Sequence, residues 1–252
     1  METLKFFSPD GKTLSTKEEF FSFYSQASFL NGKAAVKNVF RSSKWVEENI
    51  EEILKQGIKS HNDVIRILAW KTGKIKHAES EKNKKFIYSS DWKNAELFEI
   101  MRYGDRIDPK AVKSFVDFIY SNIDELKSLI DKGEHQKLLN LLGEKSYKGI
   151  GTVYMITLIY FLSAGELPIY DKFAQISVDA ILKGKKPGEA VKFKELPVKA
   201  TAEFLTVMNE GNSYKNYIKS LSTIFGDEYK TNRDIDRALW VYGHLFVSNG
   251  KC

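Results

Sequence analysis

Two short segments carry the residues of this chain that could do chemistry together, Tyr147–Thr152 and Pro168–Asp171. The first contains a Gly-x-Gly turn between two apolar segments, and the carboxylate of Asp171 follows twenty residues after Gly151. Glycine permits positive φ and removes the Cβ that would block a close approach to Gly149 or Gly151. N–H groups at the start of the following helix, with the helix dipole, favour a phosphate oxygen. The spacing therefore indicates a phosphate-binding turn followed by a carboxylate.

Each remaining residue of the turn has a role in this interpretation. Ile150 would point inward as the anchor of the turn, and Lys148 would add a cation near the phosphate. Thr152 would either cap the following helix or bind phosphate through its hydroxyl. The plainer alternative is that Gly149 and Gly151 only end one helix and begin the next, since glycine is common at helix C-caps.

The two segments resemble the core of the helix-hairpin-helix DNA glycosylases. In that superfamily a hairpin of the type Leu-Pro-Gly-Val-Gly holds the DNA backbone, and an Asp in a Pro-x-x-Asp or Pro-Val-Asp segment serves catalysis. The adenine glycosylases carry Pro-Ile-Leu-Asp at this spacing, and this chain has Pro-Ile-Tyr-Asp. The resemblance covers about 25 residues. It implies a two-lobed helical fold, double-stranded DNA as partner, a monomer, and DNA contacts from Tyr147 through Thr152 and from Lys172.

Asp171 is the catalytic residue that the resemblance implies. Breaking an N-glycosidic bond builds positive charge on the sugar, which a nearby carboxylate stabilises. The same carboxylate could activate water as a general base beside a nucleotide flipped out of the duplex. The alternative is that Asp171 caps the helix beginning near Lys172, and both roles can coexist.

Three positions depart from the family pattern. The usual Leu-Pro before the glycines is Tyr147-Lys148 here, and the Arg that many relatives place five residues after the Asp is Ile176. Bifunctional members have a Schiff-base Lys two residues after the second glycine, where this chain has Val153. Because an aliphatic side chain cannot attack the sugar, the enzyme is expected to be monofunctional. Lys148 and Lys172 are the nearest alternative amines.

A flipped base must stack on an aromatic ring or a similar surface. The pocket residues favoured here are Tyr170, Asp236 and Trp240, the last two within an Asp-Ile-Asp-Arg-Ala-Leu-Trp run. Other aromatic candidates are Trp45, Trp70, Trp92 and Tyr242. The competing interpretation is that the aromatic residues belong to the core and that the acidic residues complement a helix dipole.

Composition excludes several other classes of function. The chain has 252 residues, a net charge of +6 and 42% apolar residues, which fit a folded protein with a weak preference for anionic partners. Cys252 is the only cysteine, so a four-Cys iron–sulfur cluster is excluded, and the four histidines show no metal-ligand spacing. No metal or other cofactor is expected. The N-terminus is unlike a signal peptide and no apolar run could span a bilayer, so we expect a cytoplasmic protein with no membrane partner.

The periodicity predicts a mostly α fold with a small N-terminal β-hairpin at residues 4–14, turning at Ser8-Pro9-Asp10-Gly11. A capping box at Ser15–Glu18 precedes the first helix. Further helices are predicted at 45–58, 60–72, 109–130, 134–142, 152–163, 171–182, 198–209, 213–225 and 232–247. The last would be capped by Thr231 or Asn232. We expect an N-terminal lobe, 1–107, that packs with the C-terminal helices, and a helix-hairpin-helix lobe, 108–252.

The sequence therefore favours a DNA glycosylase that removes a damaged or mispaired base by hydrolysis. Two alternatives stay open. One is a non-catalytic helix-hairpin-helix protein that binds DNA. The other is a helical protein with no nucleic-acid role, in which the motif is a coincidence.

Overall fold

The computed structural model describes residues 4–27, 44–72, 109–145, 147, 149–170, 172–191 and 213–246. This part of the chain is mostly α-helical and contains one two-stranded antiparallel sheet. The predicted fold class is confirmed at this level. No helix within these ranges has both the length and the apolar character that crossing a membrane requires.

The two strands are β1 (Phe6–Phe7) and β2 (Thr13–Leu14). In chain order the α-helices of the described residues are α1 (Lys17–Ala27), α2 (Lys44–Gln56), α3 (His61–Thr72), α4 (Pro109–Ser121), α5 (Ile123–Asp131), α6 (His135–Gly143), α7 (Thr152–Leu162), α8 (Lys172–Leu182), α9 (Ser213–Phe225) and α10 (Arg233–Gly243). Two short 3₁₀ helices follow α9 and α10, at Gly226–Lys230 and His244–Phe246. The helix predicted near 198–209 lies outside the described residues.

The N-terminal hairpin forms where the turn residues predict it. Phe6 pairs with Leu14 and Phe7 with Thr13. The Gly11 N–H donates to the Ser8 carbonyl over 2.9 Å, and Gly11 adopts a φ of +79°, which a Cβ would strain. Both phenylalanines of β1 are buried, so the hairpin contributes its apolar side chains to the core.

The capping box of α1 lies one residue later than predicted. The Glu19 N–H donates to Thr16 Oγ1 over 3.0 Å, and Glu19 Oε2 accepts from the Ser15 N–H over 2.7 Å. Thr16 rather than Ser15 is therefore the capping residue, and Glu19 rather than Glu18 reaches back. The cap predicted for α10 is found at Asn232, whose side chain accepts from the Asp234 N–H over 3.0 Å.

The single long helix predicted after Pro109 is wrong, because the chain forms two helices, α4 and α5, separated at Asn122. The Asn122 side-chain amide donates to the Phe118 carbonyl over 2.7 Å. Its backbone has φ −114° and ψ 16°, outside the helical range. Asparagine side chains compete with the helix for backbone partners in this way. The apolar periodicity continues across the break, so it concealed the interruption.

The described residues divide into two compact units, each combining segments distant in the sequence. The first takes its residues from Met1–Ser42, Pro168–Leu196 and Asn212–Cys252, and contains the hairpin with α1, α8, α9 and α10. The second contains α2 to α7. The predicted boundary between residues 107 and 108 lies outside the described residues and stays a prediction.

The core of the first unit is organised around α10, which packs against both α1 and α8. On α1, the rings of Phe20 and Tyr24 each lie 5.1 Å from that of Tyr242. The Tyr24 hydroxyl donates to the Phe7 carbonyl over 2.7 Å and so attaches the hairpin to α1. Strand β1, α1 and α10 therefore share one aromatic core.

The backbones of α8 and α10 approach so closely at Gly243 that no side chain fits between them. A Cβ built on Gly243 would lie 2.1 Å from the Phe173 carbonyl oxygen and 2.8 Å from its Cα. Nearby, the Ser177 hydroxyl donates to the Leu239 carbonyl. Gly243 has no positive φ, so the close approach, and not backbone strain, requires glycine here.

The core of the second unit includes α7, which is apolar on nearly all faces. Its residues from Met155 to Leu162 are all buried. The ring of Trp70 on α3 meets Phe161 of α7 edge-on at 6.0 Å. The long apolar run of the sequence is therefore an interior helix of this unit.

The close approach of α8 and α10 predicts a large effect of one methyl group. In an open helix Gly→Ala stabilises by roughly 1 kcal/mol. Gly243→Ala should instead lower the free energy of unfolding by about 1–3 kcal/mol, because the Phe173 backbone must move. Urea unfolding measures this, with Asn216→Ala on the exposed face of α9 as the control, for which a change within about 0.5 kcal/mol is expected. A stabilising Gly243→Ala variant would contradict the close approach.

Candidate nucleic-acid interface and active-site segment

The connection between helices α6 and α7, called the α6–α7 hairpin below, includes Gly149, Ile150 and Gly151. The Ile150 N–H donates to the Tyr147 carbonyl over 2.9 Å, and the two residues form an isolated antiparallel bridge. Gly149 has a φ of +88°, in the left-handed region that side chains other than glycine rarely adopt. The turn therefore requires glycine at this position for a backbone reason. Lys148, the predicted cation of the turn, lies outside the described residues.

Two apolar side chains anchor the turn to the second unit. Ile150 is 1% exposed, the inward orientation that an anchor needs. The Tyr147 ring is also buried and packs at 5.0 Å against Phe115 and at 6.3 Å against Phe118 of α4. Tyr147 is therefore a packing residue of the second unit. Burial raises the pKa of the Tyr147 hydroxyl, which has no hydrogen-bond partner among the described residues.

The start of α7 offers backbone donors next to this turn. Gly151 is the N-cap, with extended backbone, and its carbonyl accepts from the Tyr154 N–H over 3.0 Å. Among the described residues, no hydrogen bond uses the N–H groups of Gly151, Thr152 or Val153. These groups lie at the positive end of the helix dipole, so an anion is favoured there.

Thr152 lies in the turn but does not cap α7. Gly151 holds the N-cap position, so the capping role expected for Thr152 is wrong. Thr152 is 2% exposed, and its hydroxyl has no partner within the described residues. An enclosed hydroxyl cannot reach a phosphate, and the donors left at this helix start are backbone N–H groups.

The second predicted segment, Pro168–Asp171, belongs to the first unit. Its described residues, Pro168 to Tyr170, are buried without forming a helix or strand. Tyr170 packs against Tyr214 and Tyr217 of α9, with ring centroids 5.8 and 5.0 Å apart. Asp171 itself lies outside the described residues, and α8 begins immediately after it at Lys172.

Lys172, expected to contact DNA, is half-buried at the first position of α8. Its Nζ lies 5.9 Å from the centroid of the Phe173 ring, within cation–π range. Ile176 is buried within α8, at a position where an arginine would have to bury its charge.

The three residues favoured for a base pocket have different environments. Tyr170 is enclosed by the tyrosines of α9, and its ring has no open face for a base. The Asp236 carboxylate accepts a hydrogen bond from the Arg233 guanidinium one turn earlier. Trp240 is half-buried, so part of its ring is accessible.

Trp240 belongs to an aromatic cluster with Phe173 and His244 that single-sequence reasoning missed. The His244 ring stacks on Phe173 with centroids 3.4 Å apart and meets the Trp240 ring at 4.4 Å. His244 Nδ1 lies 2.7 Å from the Trp240 carbonyl. The spacing of four residues between Trp240 and His244 could have placed those two together, but nothing in the sequence pairs them with Phe173.

Of the other aromatic candidates, only Tyr242 is shown by the described residues to have no exposed surface for a base. Tyr242 is fully buried, and its hydroxyl donates to the Lys185 carbonyl over 3.4 Å. Trp70 packs on Phe161, as described above. Trp92 lies outside the described residues, as does the side chain of Trp45.

Comparisons with protein-family models, curated protein sequences and solved structures found no match to this chain. The resemblance to the glycosylases therefore rests on the residues of the two segments. Within the described ranges, no three His, Cys, Asp or Glu side chains group as a metal site would require.

The enclosed hydroxyl of Thr152 predicts an unusual response to an isosteric substitution. Thr152→Val removes a buried hydroxyl that has no partner within the described residues, so the free energy of unfolding should stay equal or rise by up to about 1 kcal/mol. Thr157→Val in the same helix is the matched control, since Thr157 Oγ1 donates to the Val153 carbonyl over 2.7 Å. The control should lose about 0.5–1.5 kcal/mol. Equal losses in both variants, measured by urea unfolding, would show that the Thr152 hydroxyl is bonded.

Proposed function

We propose that this protein is a DNA glycosylase that removes a damaged or mispaired base by hydrolysing the N-glycosidic bond. The observation that carries the proposal is the α6–α7 hairpin. A left-handed Gly149, buried anchors at Tyr147 and Ile150, and backbone donors at the start of α7 together form a turn suited to a DNA phosphate.

The hairpin would bind the DNA backbone through main-chain groups. The N–H groups of Gly151, Thr152 and Val153 would donate to a phosphate oxygen, and Lys148 would supply a charge near it. Such contacts recognise the duplex and carry no base specificity. The net charge of +6 favours the same partner.

Asp171 would supply the chemistry. As the glycosidic bond breaks, positive charge develops on the sugar, and a carboxylate stabilises that charge more than it stabilises the neutral substrate. The same group would orient or deprotonate the attacking water. The base would leave from a flipped nucleotide, since the anomeric carbon is not accessible within the stack.

Base contacts fall to the half-buried cluster of Phe173, Trp240 and His244. Any base can stack on an accessible aromatic ring, because every base has a π-face, and such stacking does not distinguish one base from another. Tyr170 is enclosed and is better suited to holding the Pro168–Tyr170 segment than to stacking on a base. Asp236 would contribute to the base pocket as the partner of Arg233 in an ion pair.

The enzyme would be monofunctional. The lysine position of the bifunctional glycosylases is Val153, whose aliphatic side chain has no amine to form an imine with the opened sugar. Hydrolysis should therefore leave an intact abasic strand.

DNA affinity tests the hairpin. Binding to duplex DNA should weaken steeply with salt, because each phosphate contact releases counterions. Gly149→Val should weaken binding about tenfold or more, the equivalent of one or two lost charge-assisted hydrogen bonds. Gly133→Val is the matched control, because Gly133 also has positive φ (+66°) and a Cβ added to it would meet nothing within 4 Å. Both variants carry similar backbone strain, so equal DNA affinities would exclude the hairpin as the binding element.

Base excision tests Asp171. Asp171→Asn keeps the size and much of the capping ability but removes the charge. Excision from duplexes that each carry one oxidised, alkylated, deaminated or mismatched base should fall roughly 10²–10³-fold while DNA binding persists. Strands should break only after alkali, as a monofunctional enzyme requires.

The control is Asp131→Asn, which removes an exposed carboxylate on α5. Undiminished excision by Asp171→Asn would leave that residue with a capping role only, and binding without any base release by the wild type would favour a non-catalytic DNA-binding protein.

A further inference from the structure

The segment that leads to Asp171 is attached to α9 by a buried hydrogen bond. The Tyr214 hydroxyl donates to the Pro168 carbonyl oxygen over 2.9 Å. Tyr214 is 3% exposed, and the segment that begins at Pro168 is buried and irregular. A buried carbonyl outside regular structure needs a partner, and here a side chain 46 residues away provides it.

The same helix also fixes the ring of Tyr170. Tyr214 and Tyr217 are three residues apart on α9 and therefore share a face of the helix. Tyr170 contacts both rings, edge-on to Tyr214 and tilted against Tyr217. Of the three residues before Asp171, Pro168 is therefore held at its carbonyl and Tyr170 at its ring by one face of α9.

The hydroxyl of Tyr214 is a donor at every working pH. Burial raises the pKa of Tyr214 far above its ordinary value, so the group stays protonated throughout the range in which a carboxylate titrates. A pH dependence of the reaction would therefore report the carboxylate and not the tyrosine.

We propose that Tyr214 is a positioning residue for the reaction, acting through its hydrogen bond to Pro168 to hold the chain that presents Asp171. This inference rests on the proposed glycosylase function. It assigns to α9 a role in catalysis although no residue of α9 needs to touch the substrate. Small errors in the placement of a reacting group are costly, since a displacement of about 1 Å can reduce the rate roughly 10²-fold.

Tyr214→Phe tests the proposal with Tyr24→Phe as its matched control. Tyr24 is also buried in the first unit and donates to a backbone carbonyl, that of Phe7, over 2.7 Å. Both substitutions remove one hydroxyl and one such bond, so their urea midpoints should fall by similar amounts. Only Tyr214→Phe should slow single-turnover excision, by about 10–100-fold at saturating enzyme, with DNA affinity changed less than about twofold.

The pH profile separates positioning from a general loss of stability. If Tyr214 places the carboxylate, the acidic limb of the excision rate should move in Tyr214→Phe, because the surroundings of Asp171 change. It should stay in place in Tyr24→Phe. Equal rates and unchanged profiles in the two variants would overturn the proposal.

A measurement without substrate separates this inference from the proposed function. The Ile169 N–H shares its peptide group with the Pro168 carbonyl, so its NMR chemical shift and order parameter report the hydrogen bond. Both should change in Tyr214→Phe and not in Tyr24→Phe. An unchanged Ile169 signal would refute the attachment whatever the enzyme does. A changed Ile169 signal in Tyr214→Phe, together with no base release by the wild-type protein, would confirm the hydrogen bond but refute the glycosylase function, and with it any role of the bond in catalysis.

Discussion

The contact between α8 and α10 is the constraint on which the rest of the first unit depends. Gly243 lets the backbone of α10 approach the Phe173 carbonyl at a distance that excludes any side chain. The Ser177 hydroxyl closes the same interface by donating to Leu239. Since proteins pack as densely as organic crystals, such an interface has little freedom to slide. The backbone that Gly243 approaches is that of Phe173, the second residue of α8, and α8 begins with the residue after Asp171.

Helix α10 also connects this interface to the N-terminal hairpin. Tyr242 packs on Phe20 and Tyr24 of α1, and Tyr24 in turn bonds the carbonyl of Phe7. The neighbouring residues Tyr242 and Gly243 therefore pack against different helices. The Tyr242 ring fills the aromatic core shared with α1, and Gly243 lacks the side chain that would keep α8 at a greater distance. The half-buried Trp240 lies on the same helix, so α10 contributes both to the core of the first unit and to the proposed base contact.

The α6–α7 hairpin of the second unit has buried anchors, and two of its hydroxyl groups have no partner among the described residues. Its anchors are buried and its turn needs a left-handed glycine, yet the hydroxyls of Tyr147 and Thr152 have no partners within the described residues. Buried polar groups without partners reduce stability. Both hydroxyls are enclosed, so the donors at this turn that an anion could reach are the backbone N–H groups at the start of α7.

The sequence alone determined which of the described segments are helical, apart from the break at Asn122, where the N-terminal hairpin turns, and that the cap of the last helix is Thr231 or Asn232. These features depend on residues within about four positions of one another, and their patterns can be read locally. It also identified Gly149 as a residue of the turn, because positive φ is a local requirement. Where several local solutions compete, this reasoning was wrong: Thr16 caps α1 in place of Ser15, and Asn122 divides a helix whose apolar spacing continues.

Only the tertiary structure decided which distant side chains meet. It placed Tyr214 on the carbonyl of Pro168, enclosed Tyr170 between two tyrosines, stacked His244 on Phe173, and made Gly243 a packing residue. These contacts join positions 44 or more residues apart, the smallest separation being that of Tyr170 and Tyr214, and their energy exists only when both partners are in place. A single sequence contains the two partners of each contact but no local pattern that pairs them. The helices were therefore predictable from the sequence, whereas the surroundings of the candidate site were decided by packing.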